Sequence, residues 1–174
     1  MKSLIFNGSG CTVYNSKGRI AYRVDNYNHK EGDLVYLMNH RGEILFEIIK
    51  KKLRVFGRWE GYCCSGSKRD EMLPWFRVRR PFRSAFKDGS SSCELWNSSR
   101  RHLMMRYKIE EMTQEASYKI TEISGEIVAE VKRKQTESGV VLGDDVLTLV
   151  VEPNMDHSFI IGLVVVHGLM YNKI

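Results

Sequence analysis

The chain has 174 residues, 43% of them hydrophobic, which is enough to enclose one sizeable core and fits a single domain spanning 1–174. Its 27 Lys and Arg against 21 Asp and Glu give a net charge of +6. That balance argues against an acidic, solvating chain; it admits anionic partners such as phospholipid head groups, and equally serves plain solubility.

Strand signals recur at short spacing, separated by turn residues. Cys11–Tyr14 and Ile20–Val24 flank Asn15-Ser16-Lys17-Gly18, where a glycine suits positive φ. Leu34–Met38 and Ile44–Ile49 flank Asn39-His40-Arg41-Gly42 in the same manner. Further strands are predicted at Phe76–Arg79, Cys93–Trp96 and Leu103–Ile109. Tyr118–Ile123 and Ile127–Lys132 follow around Ser124-Gly125-Glu126, and Val146–Val151 comes last. The polar stretches Ser65–Glu71, Lys87–Ser92 and Glu110–Glu115 read as loops.

Two segments echo each other. Gly42-Glu43-Ile44-Leu45-Phe46-Glu47-Ile48 leads into Lys50-Lys51-Lys52, and Gly125-Glu126-Ile127-Val128-Ala129-Glu130-Val131 leads into Lys132-Arg133-Lys134. Two distant copies do not make a solenoid. They suggest similar hairpins within one sheet system, although any hairpin with a glycine turn and a polar outer face looks alike.

After Pro153-Asn154-Met155-Asp156 comes the run Phe159–Met170, in which nine of twelve residues are large and apolar and no polar face remains. A helix apolar all round is a membrane span or the centre of a core. At about 1.5 Å per residue this one covers roughly 18 Å, short of roughly 30 Å of hydrocarbon. Asp156 is the expected N-cap. The prediction is a mainly β domain: antiparallel strands closed around one central, hydrophobic C-terminal helix. Insertion of the run as a tail anchor is the competing reading.

Several pieces of the chain resemble the plant LURP-one-related proteins. They are Lys2-Ser3-Leu4-Ile5-Phe6-Asn7-Gly8, Gly10-Cys11-Thr12-Val13-Tyr14, Tyr22-Arg23-Val24-Asp25-Asn26-Tyr27, Leu37-Met38-Asn39 and Lys51-Lys52-Leu53. Arg58-Trp59-Glu60-Gly61-Tyr62, Val128-Ala129-Glu130-Val131-Lys132, Gly143-Asp144-Asp145-Val146 and Leu149-Val150-Val151-Glu152-Pro153 continue the match in order. The resemblance implies a tubby-like barrel wrapped around its C-terminal helix, in a superfamily that includes phosphoinositide-binding domains and phospholipid scramblases. It also implies a link to plant defence. Family members carry an upstream segment with the first strand, so the chain is expected to lack that strand and to leave or cover an edge. His167-Gly168 stands where the family suggests a more polar pair.

Catalytic chemistry finds no footing in the sequence. His29, His40 and His157 lie in turn-like contexts and His167 in the apolar run, and none of these, nor His102, shares a nucleophile motif. Asp144-Asp145 lacks the alternating oxygen ligands of a calcium loop, and Cys11, Cys63, Cys64 and Cys93 contain no CxxC pair. With no secretory hydrophobic region at the start, they are expected as free thiols. The expectation is a non-enzymatic protein with no cofactor.

Basic clusters remain. Lys50, Lys51, Lys52, Arg54 and Arg58 lie beside Phe56 and Trp59, and Lys132, Arg133 and Lys134 end the second echo. Arg77, Arg79, Arg80 and Arg83 surround Pro81 and Phe82. On a strand Lys50, Lys52 and Arg54 share one face. Such a row next to exposed aromatics suits an inositol phosphate at a membrane interface; a solvated outer wall accounts for it as well. Nucleic acid is disfavoured because no helix is placed to read a groove. The expected function is an anionic phospholipid or phosphoinositide-binding module in the cytoplasm, peripheral to a membrane, or in the nucleus. A protein-interaction adaptor without lipid affinity is the alternative.

Overall fold

The computed structural model describes residues 2–7, 10–25, 34–51, 58–64, 73–79, 90–97, 102–112 and 117–171. Within them run β1 (Lys2–Asn7), β2 (Gly10–Tyr14), β3 (Ile20–Asp25), β4 (Leu34–Asn39), β5 (Ile44–Lys51) and β6 (Arg58–Cys63). Then follow β7 (Phe76–Arg79), β8 (Ser91–Asn97), β9 (His102–Met112), β10 (Ser117–Glu122), β11 (Ile127–Arg133), β12 (Val146–Val151) and α1 (His157–Met170). Each strand pairs antiparallel with its neighbours in sequence, and β1 also pairs with β12, from Lys2 opposite Leu149 to Ile5 opposite Val146. The sheet is a closed barrel. β1 sits between β12 and β2, so the unpaired edge anticipated for a barrel lacking its first strand does not occur.

Alternation decides which side chains enter. Val35 and Leu37 of β4, Phe46 and Ile48 of β5, and Leu147 and Leu149 of β12 point inward and are buried. They meet α1, whose residues from Phe159 to Gly168 are all buried. The apolar run is therefore the axis of the barrel. Asp156 caps it as expected, its carboxylate accepting from the Ser158 and Phe159 amides at 2.8 and 3.3 Å. The helix begins at His157, two residues before the apolar run, because this cap reaches the first turn. No helix among the described residues is long and apolar enough to cross a membrane.

Phe159 joins an aromatic cluster with Phe76 at 5.6 Å and Tyr107 at 5.3 Å, and Phe46 meets Phe76 at 5.6 Å. Further along the helix, His167 is 1% exposed and packs between Tyr118 at 4.2 Å and Tyr171 at 4.7 Å. Its Nε2 lies 3.7 Å from a Glu111 carboxylate oxygen. The departure from a polar pair at His167-Gly168 is thus filled by a ring in a stack.

The internal echo has a local cause. In the β4–β5 turn the Gly42 amide donates to the Asn39 carbonyl at 3.1 Å and the Asn39 amide to the Glu43 carbonyl at 3.0 Å. Gly125 and Glu122 repeat this at 2.9 Å, with Glu122 returning to Glu126 at 2.9 Å. φ is +83° at Gly42 and +97° at Gly125, a conformation that favours glycine. The same turn joins β2 to β3 around Asn15–Arg19, and a fourth copy occupies Thr136–Val140. One turn chemistry, used four times among the described residues, produces the likeness.

Several expectations need correction. β1 and β6 carry no clear strand signal in the sequence: Leu4–Phe6 is a short apolar cluster, and charged residues interrupt the pattern at Arg58 and Glu60. Ser91 and Ser92, assigned to a loop, begin β8, and Ser91 is buried with its hydroxyl 3.1 Å from that of Tyr171. Glu110–Met112, also assigned to a loop, ends β9, where Glu110 meets Lys108 and Lys119. The Ser65–Glu71 loop lies outside the described residues.

Candidate functional site

In a ring where every neighbouring pair is antiparallel, odd-numbered strands all run the same way. The ends of β5, β7 and β11 and the starts of β6, β8 and β12 therefore meet at one rim. That rim carries Lys50, Lys51, Arg58, Arg79, Arg133 and Lys134, with Lys132 just below it. Lys52 and Arg54 lie outside the described residues, as do Phe56, Arg80, Pro81, Phe82 and Arg83.

Of the first cluster's described residues, the neighbours Lys50 and Lys51 fall on opposite faces. Lys50 continues the inward phase of Phe46 and Ile48 and pairs with Trp59, over whose ring its ammonium sits at 5.9 Å. Lys51 points to the outer wall and lies 5.7 Å over the Tyr62 ring. Trp59 was expected as an exposed interfacial aromatic; it is 4% exposed and belongs to the core.

Arg58 is committed to an ion pair. Its Nε stands 3.0 Å from a carboxylate oxygen of Glu60, and the Arg77 Nε donates to the same oxygen at 3.0 Å. The Tyr62 hydroxyl donates to the other oxygen at 2.7 Å. Glu60 is on the outer face yet only 2% exposed, roofed by these partners. Burial alone would raise its pKa, but the Tyr62 hydrogen bond and the two guanidinium groups outweigh that and hold the carboxyl below its usual 4.5. Tyr62 is pushed up to about 12 by burial and by its bond to Glu60. Sequence reading missed this network: Arg58, Glu60 and Tyr62 alternate along β6, and Arg77 reaches them only through the cross-strand pairing of Glu60 with Arg77 on β7.

In the second cluster Lys132 faces Glu130 at 3.0 Å and Arg133 faces Asp144 at 3.2 Å. β11 lies six strands from β5 in the ring of twelve, so the two echo hairpins stand on opposite sides. At about 4.8 Å between strands and a tilt of roughly 40°, such a barrel is roughly 24 Å across between strand axes. The committed cations therefore frame a rim and do not converge on one pocket.

A separate outer-wall pocket of about 230 Å³ is lined by Leu73, Pro74, Arg77 and Trp96. The Arg77 guanidinium lies 5.7 Å over the Trp96 ring. Among the described residues no group of three His, Cys, Asp or Glu is arranged to hold a metal ion. Cys93 is buried and its thiol pKa is raised, chiefly by that burial, which makes it a core residue and a poor nucleophile.

The chain can now be compared with known proteins. A crystal structure of an Arabidopsis thaliana protein superposes with a TM-score of 0.64 over 95% of this chain and 86% of that one, at 17% identity, which supports the fold alone. Protein LURP-one-related 11 of Arabidopsis thaliana is 47% identical over 174 residues, covering 98% of this chain and 75% of that protein. Protein LURP-one-related 3 of the same plant is 42% identical over 179 residues, covering 100% of this chain and 78% of its own length. The LURP-one-related family model matches residues 1–168. The chain belongs to the LURP-one-related family.

Proposed function

We propose that this protein is a non-enzymatic module that docks reversibly on anionic phospholipid surfaces at the cytoplasmic face of a membrane, in the defence setting its family resemblance implies. The observation that carries this reading is the gathering of basic residues at one rim on opposite sides of the barrel. Inositol head groups are well under 24 Å across, so one lipid cannot bridge Lys50 and Arg133. A flat anionic surface can meet both, with each cation near such a surface contributing about 1 kcal/mol. The superfamily that the resemblance implies includes phosphoinositide-binding domains, which is consistent with this chemistry.

A second reading draws on the ion pairs. Arg58, Lys132 and Arg133 each face a carboxylate, which lowers the potential they project and suits an adaptor that uses another surface for a protein partner. Co-sedimentation with vesicles of phosphatidylcholine, with and without phosphatidylserine or a phosphoinositide, over a salt series separates the two. The lipid reading expects retention at low salt that falls as salt screens the rim. No retention at low salt on any anionic vesicle rejects it.

A further inference from the structure

The β11–β12 ladder does not stop at the rim. The Lys134 amide donates to the Val146 carbonyl at 2.8 Å, and the Leu142 amide then donates to the Lys134 carbonyl at 2.9 Å, so residues 143–145 are bypassed and the pairing continues outward. Gln135 bridges Val141, and the turn Thr136–Val140 closes the finger. At its end Val140, Val141 and Leu142 are 61%, 41% and 51% exposed. Three consecutive apolar side chains in water are unusual for a surface loop, where polar turn residues are the rule.

Part of the finger's backbone is paired from within. Thr136 donates to the Val140 carbonyl at 2.8 Å, Gly139 to the Thr136 carbonyl at 3.0 Å, and Val140 to the Thr136 hydroxyl at 3.1 Å. Entry into an apolar medium penalises unsatisfied amides most, and these donors are already paired. Val140 and Leu142 also point to one side of the finger and Val141 to the other, by strand alternation. A groove on a folded partner covers one side; a fluid acyl boundary accommodates both.

We infer that the Thr136–Leu142 finger is a membrane-inserting element that sinks Val140, Val141 and Leu142 into the head-group boundary while the basic rim holds the barrel against it. This rests on the lipid-binding reading above and adds an apolar contribution to it. The finger does not supply the attraction: Glu137 is the charged residue of Thr136–Leu142, and at its base Arg133 and Lys134 stand against Asp144 and Asp145. Attraction comes from the rim, and retention comes from the side chains at the end of the finger.

Two measurements on the whole chain test this. The triple variant Val140→Ser, Val141→Ser, Leu142→Ser is compared with wild type on phosphatidylcholine–phosphatidylserine vesicles. Withdrawing about 56 Å² of apolar surface from water corresponds to roughly tenfold in affinity, so a loss of roughly tenfold or more is expected. Residual binding should then vanish at moderate salt. Separately, an environment-sensitive fluorophore is placed at Val141→Cys in a Cys63→Ser, Cys64→Ser background, and its emission should shift to the blue on those vesicles. If wild type binds while the triple variant binds equally and the probe stays in water, the finger is overturned and the lipid reading stands. If wild type fails to bind at low salt, both fall, and an apolar protein partner becomes the occupant of the finger.

Discussion

Gly61 exists to make room for Phe76. The two residues pair across β6 and β7, and a Cβ on Gly61 would overlap the Phe76 ring, lying 2.7 Å from its Cδ1 and closer still to its other edge atoms. The ring has nowhere to retreat. Phe46 and Phe159 both pack against it at 5.6 Å, and Gly162 of α1 approaches the same ring edge, where a Cβ would come within 3.2 Å. A wall glycine and a helix glycine thus border one aromatic ring.

Gly61→Ala should therefore overpack the core and destabilise the protein by about 1–3 kcal/mol. Gly162→Ala should cost less, because a contact of 3.2 Å needs a shift of only a few tenths of an ångström. Urea denaturation of the three proteins checks the order; equal stability of Gly61→Ala and wild type would show that Phe76 can move.

Replacing Glu60 by Gln removes the charge that two arginines share. A loss of about 1.5–3 kcal/mol is expected, below the cost for a fully desolvated pair because Arg58 and Arg77 retain 28% and 20% exposure. The folded carboxyl titrates below 4.5, so on acidification the unfolded chain takes up the proton first. The Glu60 contribution is fully present above about 4.5 and is lost as pH falls through the folded value. The stability gap between wild type and Glu60→Gln should narrow from pH 6 to pH 3; a constant gap would contradict the network as described.

The helix cap offers a smaller, cleaner effect. Asp156→Ala removes the acceptor for the Ser158 and Phe159 amides and should cost about 1 kcal/mol. Asp156→Asn should restore most of it, as read by thermal unfolding.

Charge reversal on one side of the rim should only weaken vesicle binding. Lys50→Glu with Lys51→Glu, and Lys132→Glu with Lys134→Glu, are expected each to lower affinity by roughly tenfold or more and to combine close to additively, since the sites stand on opposite sides of the barrel. Additivity supports a surface; complete loss from either pair alone would point to a single convergent pocket. A protein partner bound elsewhere should be retained by all of these variants.

Much of this architecture is legible in the sequence because inward residues are apolar and outward ones are not. Phe76–Arg79 shows it plainly, with Phe76 and Val78 buried and Arg77 and Arg79 outside; Leu34–Met38 and Val146–Val151 are legible as short apolar runs, and Phe159–Met170 announces its burial by having no polar side. β6 hides because its outward residues form a buried ionic network around Glu60 and its inward position 61 is a glycine. Ser91 hides because a serine inside a barrel becomes intelligible only beside Tyr171, eighty residues away. The division of Lys50 from Lys51 is written in the phase of Phe46 and Ile48. The placement of the two basic clusters across the ring is not, since it depends on the number of strands between them and around the ring, and β1 and β6 carry no clear strand signal.

The pairing of Lys2–Ile5 with Val146–Leu149 has a consequence for how the chain reaches this state. The ribosome delivers the helix after all twelve described strands, yet the helix fills the space those strands enclose. Until it arrives, Leu4, Phe46, Phe76 and their neighbours have no partner, and the seam between first and last strands cannot seal. Contacts this distant in sequence make for slow assembly with exposed apolar intermediates. A chain truncated before His157 should remain bound to chaperones or aggregate, and a supplied peptide of the helix would have to be captured before the seam forms.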